Sequence, residues 1–132
     1  MRGFSGLFPR RSESGGKDRP GQQITKSGNN RLKRDLMLAA DVARRIDPGL
    51  AQVYHRMMVE KGHHHRQALC AVATRLVNRI YAVLKENRPY ELRDPEGNPI
   101  SVADAKALIA DRFQVPTSVR QARRREAAGL AA

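Results

Sequence analysis

Ser12-Glu13-Ser14-Gly15-Gly16-Lys17 places hydroxyls against two glycines and a lysine. A serine hydroxyl is a weak nucleophile unless a base or a cation assists it. Glycines beside it let a phosphate approach the backbone and leave N–H groups free to meet it. Arg10, Arg11, Lys17 and Arg19 surround the pair and can neutralise charge building on phosphorus. The chemistry this pattern suits is attack of a hydroxyl on a phosphodiester. Ser14 is the first candidate and Ser12 its rival, against the plain alternative of a Ser/Gly linker with incidental arginines.

A second group follows in Ile24-Thr25-Lys26-Ser27-Gly28, with Arg31, Lys33 and Arg34 just beyond. A helix starting here would offer unpaired N–H groups and the positive end of its dipole to phosphate. The spacing of glycine and lysine is not that of a Walker A loop. Lys26, Gly28, Arg31, Lys33 and Arg34 therefore join the candidate nucleic-acid contacts. His63-His64-His65 lacks the partners of a metal site and reads as a polar helix start. No carboxylate set for metal-assisted phosphoryl transfer stands out, and Asp35 and Asp41 read as ion-pair partners of nearby arginines. The metal expectation for this chain is none.

The elements that must hold these residues are helical. The 132 residues are 40% apolar and 5% aromatic, without Trp, which favours a small all-α bundle of about four helices. Residues 1–28 form a basic, Gly-rich arm; residues 29–116 form the helical domain; residues 117–132 form a basic, Ala-rich tail, helical only when bound. An extended piece is placed at Gly6-Leu7-Phe8-Pro9. The first helix is capped by Ser27, Asn29 or Asn30 and carries Leu32, Leu36, Ala39, Ala43 and Ile46 on one face. Asp47-Pro48 ends it and opens a second, with Leu50, Val53, Tyr54, Met57 and Met58 inward, stopped at Lys61-Gly62. A third spans about His64 to Glu86, with a wide apolar face from Leu69 through Leu84 that needs more than one neighbour. Asp94-Pro95-Glu96-Gly97 predicts a type I turn in a minor β-hairpin. Ser101 caps a fourth helix bearing Val102, Ala105, Leu108, Ile109 and Phe113.

Charge narrows the partner. The net charge is +12 and the pI about 11.0. Residues 1–34 hold nine Lys/Arg against two acids, whereas residues 35–116 are nearly balanced. Such asymmetry is the footprint of a polyanion-binding protein. The lone Cys70 excludes an internal disulfide and reads as a small core residue in a reducing compartment. No apolar run is long enough to span a membrane.

The order Gly6-Leu7-Phe8-Pro9, Ser14-Gly15, Ile24-Thr25-Lys26-Ser27-Gly28, Leu32, Leu36, Ala39-Ala40, Pro48, Tyr54, Lys61-Gly62 and Ala71-Val72-Ala73 resembles the C-terminal part of insertion-sequence transposases of the IS-one-ten type. These are the DEDD-plus-serine, bridge-RNA-guided recombinases, and the likeness covers about residues 6–90. It implies a serine just before glycine that joins covalently to DNA, which selects Ser14 over Ser12. It also implies DNA as partner, a structured guide RNA, a multimeric assembly, and a bacterial cytoplasmic, nucleoid-associated setting. Magnesium is expected on an acidic RuvC-like half not seen in this sequence. Lys33 stands where members usually carry arginine. On this reading the chain is a truncated transposase, or one piece of a split gene, inactive alone. The alternatives are a non-catalytic basic nucleic-acid-binding module and a helical interaction protein associating through its third helix.

Overall fold

The computed structural model of the protein describes residues 13–14, 17–18 and 29–131. Arg10, Arg11, Ser12, Arg19, Lys26 and Gly28, and the extended piece expected at residues 6–9, lie outside them. Within the arm, β1 (Glu13–Ser14) pairs antiparallel with β2 (Lys17–Asp18), Glu13 opposite Asp18 and Ser14 opposite Lys17. Two glycines separate the paired residues in sequence, a favoured composition for a two-residue hairpin connection. The sequence reading placed no strand pair at this point of the arm.

Asn29 opens α1 (Asn30–Ala43), its side chain accepting from the Leu32 N–H at 3.0 Å. Leu36 and Ala40 are buried on α1, with Leu32, Met37 and Ala43 packed beside them. Ala39, expected on this face, is exposed. Steps of four from Leu32 through Leu36 reach Ala40 instead, which is fully buried. Asp47 then caps α2 (Pro48–His55), with Pro48 at its first position. The helix runs on as a single π turn (Arg56–Glu60), closed by the Lys61 N–H on the Arg56 carbonyl at 3.0 Å. Gly62 supplies the left-handed backbone, at φ +72°, that turns the chain out of it.

The longest helix, α3 (His65–Glu86), lies against both α1 and α2. Ala68, Leu69, Val72, Ala73 and Val77 form its buried stripe and meet Leu50, Tyr54 and Met58. Leu84, expected inward, is 69% exposed. The far end of α3 runs past its neighbours, so apolar spacing there finds nothing to bury against. Asn87, left-handed at φ 49°, ends the helix. Cys70 is half-buried, its thiol 3.8 Å from Met37 Sδ, and burial pushes its pKa up.

The expected hairpin is reduced to one bridge, Arg93 to Pro99. Its turn is as read: the Gly97 N–H reaches the Asp94 carbonyl at 3.0 Å, and Gly97 adopts φ +90°. Ser101 caps α4 (Val102–Arg112), accepting from the Asp104 N–H at 3.2 Å. On α4 only Ala105 is fully buried, and Val102 is half exposed, because α4 leans on α2 alone.

The tail forms α5 (Thr117–Ala131). Val119 packs on the core, and Arg123 Nε donates to the Met58 carbonyl at 3.2 Å. A carbonyl in a π turn is displaced from regular α-helical pairing, which leaves it available to a side chain.

Candidate nucleic-acid interface

Of the residues singled out for chemistry, the structure brings Ser14 opposite Lys17 and places Arg31, Lys33 and Arg34 on the first turns of α1. No acid lies in that first turn. Three cations at a helix N-terminus oppose the helix dipole, and an incoming phosphate would relieve the conflict. Arg31 and Arg34 are exposed; Arg34 contacts Asp35 at 3.5 Å across solvent, while Lys33 is half-buried. The exposed side of α1 continues through Leu38 and Val42 to Arg45, at spacings of 3, 4, 4 and 3 from Arg31. The solvent face of α1 is therefore a strip of cations flanking two aliphatic side chains.

The Asp41 ion pairs expected from the sequence belong to a larger cluster, not read there, where α1, α2 and α3 meet. Asp41 receives Arg44 Nη2 at 2.7 Å and Arg45 Nη2 at 3.0 Å. Arg44 also lies over the Tyr54 ring, 4.1 Å from its centroid. Tyr54 is buried to 3% exposure, and its hydroxyl meets His65 Nδ1 at 2.8 Å. Burial pushes the Tyr54 phenol up. Burial and then the Arg44 charge push His65 down, which favours its neutral form beside the Tyr54 hydroxyl. Burial alone would raise the Asp41 carboxyl, but the hydrogen bond and charge of Arg44, followed by Arg45, outweigh it and hold Asp41 below its ordinary value.

These directions set a pH dependence. A histidine whose folded pKa is depressed contributes stability that is present above the unfolded value of about 6.5 and is lost as pH falls through the folded value. Urea midpoints should therefore decline on acidification below about pH 6.5, and His65→Gln should flatten this decline. A second decline, below the ordinary Asp41 value of 3.8, belongs to the Arg44–Arg45 pairing and should survive in His65→Gln. A His65→Gln profile identical to the parent would remove His65 as its cause.

His63 and His64 serve the start of α3: Gln67 Oε1 accepts from the His64 N–H at 3.3 Å and lies 3.1 Å from His63 Nδ1. Among the described residues, no three His, Cys, Asp or Glu side chains converge as metal ligands. The residues described here do not fit the magnesium that the resemblance places on an acidic half. No helix among the described residues is long and apolar enough to cross a membrane.

A second buried cluster is structural. Asp47, 5% exposed, accepts from the Leu50 N–H at 3.2 Å, from Arg79 Nη1 at 2.5 Å and from the Tyr90 hydroxyl. Gly49 lets Arg79 cross the first turn of α2, since a Cβ there would lie 2.5 Å from Arg79 Nη2.

Residues 1–56, which include Ser14, Lys17 and most of α1 and α2, match the Transposase IS116/IS110/IS902 family. The chain is 32% identical over 94 residues to the insertion element IS110 uncharacterized 43.6 kDa protein of Streptomyces coelicolor, covering 71% of this chain and 23% of that protein. It is 29% identical over 90 residues to the pilin gene-inverting proteins of Moraxella lacunata and Moraxella bovis, covering 68% of this chain and 28% of each. The aligned region spans about a quarter of the length of these relatives. No solved structure matches the chain. The family match takes in the Ser14–Lys17 pair, and the proteins this chain is similar to include an insertion-element protein and gene-inverting proteins.

Proposed function

We propose that this chain is the serine-bearing, C-terminal portion of an IS110-family transposase, and that Ser14 attacks a DNA phosphodiester. The Ser14 Oγ–P bond forms as the bond from phosphorus to a bridging strand oxygen breaks. The serine proton is lost, and the departing oxygen gains one. Lys17, with Arg10, Arg11 and Arg19, counters the charge that gathers on phosphorus. Lys26, Gly28, Arg31, Lys33 and Arg34 hold the flanking backbone. The observation that carries this reading is the register that sets Ser14 opposite Lys17 inside the family-matched segment. A structured RNA guide, a multimeric assembly and a bacterial cytoplasmic setting complete the proposal. So does an acidic half holding magnesium, which would assist the attack. No step above is routed through that ion.

The test is a covalent protein–DNA adduct trapped on denaturing gels, with an acid-bearing RuvC-like half supplied in trans. Ser14→Ala should abolish the adduct while Ser12→Ala retains it. Adduct surviving in Ser14→Ala would end the assignment. The exposed Arg31, Arg34 and Arg45 side of α1 favours a second reading, a binding module without cleavage. That module predicts DNA affinity falling with salt at a log–log slope of about −4 to −5 for ~5 neutralised phosphates, unaffected by Ser14→Ala.

A further inference from the structure

A cleft of about 390 Å³ opens between the end of α1, α2, α4 and the start of α5, away from the Ser14 hairpin in sequence. Its volume falls at the low end of small-ligand sites, about 300–1,000 Å³. Arg45, Lys106 and Arg120 stand at its rim, and Ala51, Ile109 and Phe113 lie among its apolar lining. Four cations line it in all, and no carboxylate does among the described residues. Arg44, the fourth, is held by Asp41 and the Tyr54 ring. Arg45 is bound to the same carboxylate but remains 63% exposed. Lys106 and Arg120 are exposed and form no ion pair with a carboxylate among the described residues.

An apolar floor beneath a cationic rim matches the two halves of a nucleotide. The phosphate seeks the cations, while the base gives up water to lie on aliphatic and aromatic surface. A base inside a duplex cannot reach such a floor, because its faces are stacked and its edge is paired. We infer that this cleft binds one unpaired nucleotide of a nucleic-acid strand, with its phosphate between Arg45, Lys106 and Arg120 and its base toward Ile109 and Phe113. This deepens the reading above, resting on nucleic acid as the partner but not on Ser14.

Three cations drawn from three separate elements make the site a sensor of how the bundle is assembled. Arg45 follows α1, Lys106 rides on α4, and Arg120 begins α5. A strand bound here would tie α5 to the rest of the bundle, so binding should also raise the melting temperature.

The experiment uses the full chain and fluorescence anisotropy of labelled oligothymidylate, oligouridylate and a DNA duplex of equal length. Lys106→Glu/Arg120→Glu is compared with Arg75→Glu/Lys85→Glu, a reversal of equal charge on exposed α3 positions. The cleft pair should weaken single-strand binding by about tenfold more than the α3 pair, the scale of one charge-assisted hydrogen bond. It should also flatten the single-strand salt slope by about 1.4, for two lost phosphate contacts. Lys106→Glu alone, at an exposed residue with no ion-pair partner among the described residues, should give part of the loss with an unchanged melting temperature. Duplex affinity should fall equally in the two pairs. Comparison of the thymidylate and uridylate arms assigns the bound strand to DNA or RNA. Equal loss of single-strand binding in both pairs, or a cleft effect as large on duplex, would overturn the inference. Cleft-dependent binding in Ser14→Ala beside a lost adduct keeps the two claims apart. A chain that binds no nucleic acid would overturn both.

Discussion

Asp47→Ala is expected to destabilise the bundle by about 3 kcal/mol, lowering the melting temperature by roughly 10–20 °C. Loss of the cap on α2 accounts for about 1 kcal/mol. The rest comes from Arg79 and Tyr90, which approach Asp47 from α3 and from the segment after it. Removing this buried carboxylate takes the acceptor from a guanidinium and from the hydroxyl of Tyr90, which is itself 49% exposed. Arg79 is 35% exposed, so water recovers part of that cost and the figure sits below the full penalty for a buried pair. Asp47→Asn keeps an oxygen for the Leu50 N–H and should cost about half as much. A double-mutant cycle with Arg79→Met isolates the pair. A loss below about 0.5 kcal/mol in Asp47→Ala would show that the three contacts contribute nothing beyond solvent.

Met58→Ala is the second large effect, expected at about 3 kcal/mol by urea denaturation with an unchanged m-value. Met58 is 1% exposed and packs with Leu50 and Val72 in the middle of the core. Its thioether lies on the π turn and is packed within the core cluster, so its removal leaves a cavity among close-packed side chains. Leu84→Ala provides the contrast. Leu84 fits the apolar spacing of α3 as well as Val77 does, yet it is 69% exposed and should cost within about 0.5 kcal/mol. If the two substitutions cost the same, the burial assigned to the π turn is wrong.

The pair Met58 and Leu84 also shows where the sequence was readable. Starts of helices were legible because capping is local: Asn29, Asp47 and Ser101 each bond an N–H three residues on. The stop at Lys61-Gly62 follows from backbone preference alone. Burial was legible only where a neighbour exists. Ala39 against Ala40 could not be decided from spacing, since steps of three and four both continue a helical face. The anchors of the tail helix, Val119 and Arg123, were not legible because Arg123 binds surface built some sixty positions earlier and Val119 packs on the core. For the same reason the Arg45, Lys106 and Arg120 cleft leaves no motif: its cations are separated by an entire bundle of intervening chain. The Ser14 hairpin is the opposite case. Serine, two glycines and lysine are contiguous and were legible as a motif, though the strand pairing they make was not read from them.

The π turn at Arg56–Glu60 has a mechanical meaning for the whole bundle. Such a turn carries one residue more than regular winding would, and that surplus sets the phase of everything downstream. Were the same residues wound as regular α-helix, the surplus residue would rotate the exit by about 100°. Gly62 would then launch α3 with Ala68 and Val72 facing solvent. The irregularity thus acts as a phase key: it lets a helix of ordinary composition hand the chain over at the one azimuth where two alanine-lined faces can meet.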